Sequence, residues 1–193
     1  MRSGILIKLY DIVLFIMLFK RLEITGFKSF ARAVTLDFPV AISAIVGPNG
    51  SGKSNIADSI RWVLGEQSMK HLRGKKGEDL IFAGTQQMAR LGKASVSLAF
   101  DNKKHVFPVE FEEVAVSRRI YRDGTNEYLL NGSQVRLKDI VELLSKVGLG
   151  ASQHHIIAQG DADRILYASP KERKSMVEEA LGLKIFELKK KEA

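Results

Sequence analysis

Hydrophobic positions along the chain change their spacing several times, and each spacing predicts a different element. Residues 40–46 form an almost unbroken apolar run with a single serine. Such a run predicts a strand that is buried on both faces of a parallel sheet. After a glycine-rich interval, apolar residues recur at helical spacing, which predicts a helix whose packed face is formed by Ile56, Ile60, Val63 and Leu64. Gly65 is expected to end this helix.

The middle of the chain alternates between apolar and small or polar residues, which is the period of a strand buried on one face. The apolar positions of the clearest stretch are Ala94, Val96, Leu98 and Phe100. Residues 114–121 and 128–130 are strand-like around a turn at Asp123-Gly124, and Asn131-Gly132 is a two-residue hairpin signal. We therefore predict an antiparallel β insertion here.

Two helices are predicted in the last third of the chain. The first has an apolar stripe over residues 137–147 and ends at Gly148. The second begins at residues 169–172, where a serine cap, a proline and a glutamate three positions after the serine form a capping box. Further along, apolar residues with the spacing of a coiled-coil seam predict that this helix enters a coiled coil, at Leu181, Ile185 and Leu188.

The amino-terminal residues 1–16 precede the first predicted strand and are of unclear status. The apolar run 12–19 is too short to cross a bilayer, and no small-residue cleavage site follows it. We interpret residues 1–16 as an extension ahead of a natural start at Met17. Two or three strands are expected over 17–46, with a first turn at residues 26–30. No membrane partner is expected.

The length of 193 residues suits one domain. The chain is basic, with a net charge of +8, and this charge favours a polyanionic partner. Two groups of cations are candidates for sequence-independent contacts with DNA phosphates: Lys70, Arg73, Lys75 and Lys76, and Arg118, Arg119 and Arg122. The alternative is that these side chains only solvate the surface. Cysteine is absent, which excludes disulfides and thiolate metal ligands, and the four histidines lack metal-type spacing.

The segment between the apolar run and the first helix matches the phosphate-binding loop pattern GxxxxGK[ST]. Its residues are Gly47, Pro48, Asn49, Gly50, Ser51, Gly52, Lys53 and Ser54. Glycines let backbone N–H groups turn toward an anion, a lysine reaches the β- and γ-phosphates, and the last hydroxyl binds Mg²⁺. The sequence therefore predicts a site for ATP and Mg²⁺, with Lys53 on the phosphates and Ser54 on the metal.

The second half of a hydrolytic site is missing from the sequence. Hydrolysis needs a carboxylate at the end of another core strand and a group that orients the attacking water. The chain contains no apolar run ending in Asp-Glu and no Ser-Gly-Gly segment. We expect the isolated chain to bind ATP without hydrolysing it.

Several segments, taken in order, resemble the amino-terminal head segment of the SMC chromosome-partition and condensation ATPases. They are residues 27–30, 47–55, 60–67, 72–74, 81–84, 136–139, 156–160 and 170–182. The resemblance implies an α/β fold: a P-loop NTPase of the ABC type, comprising a head lobe over 17–168 and a neck helix over 169–193 at the root of a coiled coil. It implies that a carboxy-terminal lobe elsewhere in the polypeptide supplies the missing groups.

The resemblance also implies roles for individual residues. Asn55 joins the nucleotide loop, Gln159 joins Mg²⁺ and the water, and Arg73 reaches the phosphates when two heads engage. Lys28 and Ser29 are placed near the nucleotide. The implied partners are DNA, the carboxy-terminal lobe, a second head and a kleisin-type subunit, and the implied location is the cytoplasm, on the chromosome.

Three other functions compete with a DNA-organising ATPase head. A double-strand-break repair ATPase shares the same head and coiled-coil plan. A transporter ATP-binding subunit is disfavoured, because Gln159 lies far beyond Lys53 with a β insertion between them. A non-catalytic, truncated DNA-binding fragment is a different class, and it would lack half of the chemistry.

Overall fold

A six-stranded antiparallel sheet organises the computed structural model, which describes residues 19–40, 42–149, 156 and 166–174. The strands stand in the spatial order β2-β1-β3-β4-β5-β6. Each neighbouring pair runs antiparallel. Their bounds are Phe19–Thr25 (β1), Val34–Asp37 (β2), Lys93–Asp101 (β3), Glu113–Tyr121 (β4), Asn126–Leu130 (β5) and Ser133–Val135 (β6).

The inner face of this sheet forms the core. Leu98 of β3 pairs with Leu22 of β1 on one side and with Val116 of β4 on the other. All three side chains are buried, as are the predicted inward positions Ala94, Val96 and Phe100. Alternation places these apolar residues on one face, where cross-strand pairs stabilise the sheet. The predicted antiparallel section is thus confirmed, and it is continuous with β1 and β2.

Helices cover the inner face of the sheet. Helix α1, Lys53–Val63, lies against β3 and β4, and helix α2, Leu137–Lys146, lies against β5. A 3₁₀ helix, Gly77–Leu80, lies against β4. Trp62 of α1 is 1% exposed and packs on Phe27 with ring centroids 5.2 Å apart. Trp62 therefore belongs to the core.

The hairpin predicted at Asn131-Gly132 joins β5 to β6. Both residues have positive φ angles, 47° and 83°. Two successive left-handed residues form the turn whose twist matches that of paired strands, and asparagine followed by glycine adopts it at low cost. The prediction is confirmed.

The strand predicted over residues 40–46 is wrong for the described part of that segment. Residues 42–46 are irregular and exposed, with Ile42 89% and Val46 91% exposed. An apolar strand is stable inside a sheet only when neighbours satisfy its backbone N–H and C=O groups. No described strand pairs with this segment.

The capping box predicted at Ser169 is confirmed. The Ser169 N–H donates to Glu172 Oε2 at 2.8 Å, the Glu172 N–H donates to Ser169 Oγ at 3.4 Å, and residues 170–174 are helical. Gln159 and the seam at Leu181, Ile185 and Leu188 lie outside the described residues. Within the described ranges, no helix has the length and apolar character needed to cross a membrane.

Candidate nucleotide site

The phosphate-binding loop leads directly into the first turn of α1. Gly50 and Gly52 have φ angles of 84° and 91°, and Gly52 is the residue that caps the helix. The Asn55 and Ile56 N–H groups close the first helical turn on the Gly52 carbonyl at 2.8 and 3.2 Å. The N–H groups in the first turn of a helix lack intrahelical partners and attract anions. The phosphate-binding loop leads into this end of α1.

Lys53 folds back over the loop that precedes it. Its Nζ donates to the carbonyl oxygens of Gly47 and Pro48 at 2.6 and 2.7 Å. Two neutral carbonyls are weaker partners for an ammonium than a phosphate is, because the negative charge of a phosphate adds Coulomb attraction to the hydrogen bond. The residues present therefore fit a nucleotide phosphate group.

Ser29 and Phe30 form a wall against the loop. A Cβ placed on Gly52 would lie 3.1 Å from Ser29 Oγ and 3.4 Å from the Phe30 ring. Ser29 Oγ also accepts a hydrogen bond of 2.8 Å from Asn55 Nδ2. The structure thus places Ser29 beside the loop, and its position near a bound nucleotide stays a prediction.

Lys28 and Arg73 meet on a residue that sequence reasoning missed. Asp58 of α1 is 3% exposed, and its Oδ2 accepts hydrogen bonds from Lys28 Nζ and from the Arg73 guanidinium. Arg73 Nη2 also donates to Asn55 Oδ1 at 3.1 Å. No sequence signal marked Asp58, because two positions after Ile56 is about 200° around the helix and therefore away from the predicted apolar face.

The metal half of the site has one candidate ligand among the described residues. Ser54 is exposed at the second position of α1, where its hydroxyl suits Mg²⁺. Asp58, which lies nearby in the helix, is already bonded to two cations. Gln159, the other predicted ligand, lies outside the described residues.

The first predicted cation group does form an exposed loop. Lys70, Lys75 and Lys76 are exposed, and Leu72, 1% exposed, anchors the loop in the core. Asp79 accepts hydrogen bonds from the backbone N–H groups of Lys76 and Lys75 at 2.9 and 2.7 Å. These bonds lower the pKa of Asp79, because they favour its charged form.

The second predicted cation group is wrong as a DNA-facing cluster. Arg118 is 5% exposed, and burial lowers its pKa to about 10. Arg122 donates to the Leu91 and Phe82 carbonyl oxygens at 2.7 and 3.1 Å. Arg119 points to the opposite face of β4 from Arg118, since successive strand residues alternate in direction. Only Arg119, which pairs with Glu127 at 3.6 Å, keeps a substantially exposed side chain.

Together, the left-handed glycines, the lysine over the loop and the helix N-terminus define a P-loop nucleotide-binding protein. The family model described as "RecF/RecN/SMC N terminal domain" matches residues 18–154. The chain therefore belongs to this family, and its similarity to Smc proteins and SMC head structures identifies it as an SMC head segment of the ABC-type ATPase class.

Three comparisons illustrate the likeness. The Chromosome partition protein Smc of Mycobacterium leprae is 50% identical over 177 residues, covering 92% of this chain and 15% of that protein. A structure described as "Structural biochemistry of ATP-driven dimerization and DNA stimulated activation of SMC ATPases" is 36% identical with a TM-score of 0.78, covering 83% of this chain and 98% of its own.

The third comparison is the Smc head domain of Pyrococcus furiosus, with an extended coiled coil and bound to the C-terminal domain of ScpA. It is 36% identical with a TM-score of 0.77, and the match covers 91% of this chain and 44% of that chain. The present chain thus spans only a small fraction of the curated relatives that it matches.

Proposed function

We propose that this chain is the ATP-binding half of an SMC head that, together with a carboxy-terminal lobe, drives ATP-dependent DNA organisation, chromosome condensation and segregation. The observation that carries the proposal is the phosphate loop at the N-terminus of α1, with Lys53 bonded to the loop carbonyls. Membership of the family supports the wider role.

The proposed site residues divide between two tasks. Gly47 to Asn55 hold the triphosphate through backbone N–H groups, with Lys53 supplying positive charge and Ser54 a ligand for Mg²⁺. Arg73 acts on the phosphates and Gln159 on Mg²⁺ and the attacking water in an engaged pair of heads. When bound, Mg²⁺ would neutralise phosphate charge.

The exposed apolar segment supports the proposed carboxy-terminal lobe as a partner. Val40, Ile42, Ile45 and Val46 are 60%, 89%, 43% and 91% exposed, directly before the phosphate loop. Exposed apolar side chains in sequence mark a surface that another part of a protein covers. A second head and a kleisin-type subunit are proposed from relatives whose descriptions name dimerization and ScpA. DNA is proposed as a partner from the relative whose description names DNA stimulated activation. A chromosome-associated cytoplasmic location is proposed from relatives named chromosome partition proteins.

Titration calorimetry with Mg²⁺ and ATP tests the nucleotide site in this chain. Lys53→Ala should weaken binding at least about tenfold, because a charge-assisted bond to phosphate is lost. Its thermal unfolding without ligand should stay within about 3 °C of the parent chain, since only two bonds within an open loop disappear. Lys138→Ala, at an exposed position on α2, is the matched control.

Hydrolysis distinguishes the proposed head from a non-catalytic DNA-binding fragment. The chain alone should not turn over ATP, and turnover should arise when it is expressed together with the downstream part of its reading frame. Unchanged ATP affinity in Lys53→Ala would refute the site. A reading frame without a coiled coil and a second lobe would favour the fragment.

A further inference from the structure

Asp58 is a buried carboxylate shared by two cations beside the phosphate loop. Its Oδ2 accepts from Lys28 Nζ, from Arg73 Nε at 3.0 Å and from Arg73 Nη2 at 2.6 Å. A carboxylate withdrawn from water is stable only when its charge is compensated. One cation would suffice for that purpose, and two are present.

The two cations differ in how firmly they are held. The Lys28 side chain is 11% exposed, and its Nζ also donates to the Leu72 carbonyl oxygen. The Arg73 side chain is 52% exposed, with a further bond of 3.1 Å to Asn55 Oδ1. A half-exposed guanidinium regains hydrogen bonds to water when it leaves its partner, whereas a buried ammonium does not. Lys28 is therefore held more firmly on Asp58 than Arg73 is.

Both cations belong to residues with strained backbones. Lys28 and Arg73 have φ angles of 49° and 52°, in the left-handed region that residues with a Cβ rarely adopt. The Lys28 N–H donates to the Leu80 carbonyl at 2.8 Å, and the Arg73 N–H donates to the Lys70 carbonyl at 3.1 Å. Such strain persists where surrounding bonds enforce it, and it is concentrated at functional sites.

The bonds to Asn55 and Asp58 place the Arg73 guanidinium alongside the first turns of α1. Ser54 and Asp58 are four positions apart in this helix and so lie on the same side of it. A guanidinium on that side is close to the end of the helix that receives phosphate. A phosphate bound at that end would therefore attract the same cation as Asp58 does.

We propose that Asp58 is a positioning residue that retains Arg73 while the phosphate site is empty. Lys28 compensates the Asp58 charge when Arg73 moves onto a phosphate, so that release leaves no unpaired buried carboxylate. The inference rests on the proposed function, because it concerns the same nucleotide site. It adds Asp58, which no sequence motif indicates, as the residue that sets how readily Arg73 is released.

Calorimetric titration with Mg²⁺ and a non-hydrolysable ATP analogue tests the retention of Arg73, with the chain expressed together with the downstream part of its reading frame so that two heads can engage. Asp58→Asn keeps the size of the side chain and removes its charge, so Arg73 should be released more readily. We expect about three- to tenfold tighter binding than in the parent chain, which is a Kd lower by one decade or less. The same substitution in an Arg73→Ala background should give no tightening.

The comparison of backgrounds separates retention from a general effect of charge. Tightening that persists without Arg73 would mean that removing a negative charge near the phosphates is sufficient, and it would overturn the proposal. The absence of tightening in a folded Asp58→Asn chain would overturn it as well. If neither the parent nor any variant binds ATP, the proposed nucleotide site is wrong, which is a distinct result.

Thermal unfolding of Lys28 and Arg73 variants tests the shared carboxylate even if Asp58→Asn does not fold. Arg73→Ala in the parent chain should lower Tm by no more than about 3 °C, since Lys28 still compensates Asp58. In a Lys28→Met background the same substitution should lower Tm at least about twice as far, because it leaves a buried charge alone. Additive shifts would show that the two cations do not share Asp58, and they would refute the proposal.

Discussion

The guanidinium of Arg118 lies 4.8 Å from the centre of the Trp62 ring and donates a hydrogen bond of 2.9 Å to the Trp62 carbonyl oxygen. It also donates to the Glu66 carbonyl oxygen at 2.8 Å and lies 4.9 Å from the Tyr128 ring. The Trp62 carbonyl, in the last turn of α1, also accepts from the Gly65 N–H at 3.2 Å, and the buried guanidinium supplies a second donor there. Arg118 thus joins the sheet to the far end of the phosphate-binding helix.

Arg118→Ala should destabilise the fold by about 2–4 kcal/mol, because the Trp62 and Glu66 carbonyls each lose a charged donor and two rings lose a cation. Arg118→Lys should recover part of this loss, since one ammonium cannot reproduce the fork geometry of the guanidinium. Urea unfolding measures both. Arg119→Ala, which removes a half-exposed pair with Glu127, is the matched control and should cost about 1 kcal/mol or less. Equal losses at 118 and 119 would contradict the structural role.

The burial of Arg118 could partly be predicted from the sequence. Val116 and Ile120 occupy the inward positions on either side of it, so strand alternation directs Arg118 inward. The positive charge of Arg118 predicted an exposed side chain instead, but in the structure Arg118 is packed in the interior. The position of the phosphate loop at the start of α1 could be predicted, because the motif consists of consecutive residues.

Asp58 was beyond sequence reasoning for a different reason. Its partners Lys28 and Arg73 are distant in sequence, and only the tertiary fold brings them together. Residues 40–46 show the converse limit. Their hydrophobicity indicates that these side chains need to be buried. It does not specify which strands would have to pair with the segment to bury them.

Acid should weaken the fold partly through Glu113. Its hydrogen bond with Lys20, supported by the charge of Arg21, lowers its pKa below the usual value. A lowered pKa in the folded state means that the unfolded chain binds the proton more tightly. The stabilisation is therefore present above the unfolded pKa and is lost as pH falls through the folded pKa.

Glu113→Gln should cost about 0.5–1 kcal/mol at pH 7, because the pair is partly exposed and screened by solvent. The difference between variant and parent should shrink as pH falls below about 4. Urea unfolding at several pH values measures it. Glu112→Gln, at an exposed neighbouring position, should show a smaller difference at neutral pH. A cost for Glu113→Gln that does not change with pH would exclude the ion pair as its source.

Gly52→Ala should damage both stability and nucleotide binding. Gly52 combines a φ of 91° with distances of 3.1 Å to Ser29 Oγ and 3.4 Å to Phe30 from an added Cβ. Gly124 has a φ of 88° and no atom within 4 Å of the same position. Gly124→Ala should therefore cost only the left-handed strain of about 1–2 kcal/mol, and Gly52→Ala should cost more. Equal losses of stability for Gly52→Ala and Gly124→Ala would show that Ser29 and Phe30 move away from the added Cβ without an energetic cost.

DNA binding by the isolated chain should depend on the exposed loop cations Lys70, Lys75 and Lys76. Cations of this type bind phosphates, so affinity should be weak, indifferent to sequence and steeply reduced by salt. Fluorescence anisotropy with two unrelated duplexes at several salt concentrations measures all three properties. Replacing the three lysines by serine should lower the slope of log affinity against log salt by about 2–3, because each lysine that neutralises a phosphate releases about one counterion.

Replacement of Lys103, Lys104 and Lys138 by serine is the matched control, because it removes the same charge from exposed positions outside that loop. If these lysines only solvate the surface, both triple variants will bind DNA alike. Affinity that distinguishes the duplexes strongly, or that ignores salt, would require recognition of base edges. The loop offers cations on an exposed turn without interleaved aromatic side chains, a composition suited to phosphates and not to stacking on bases.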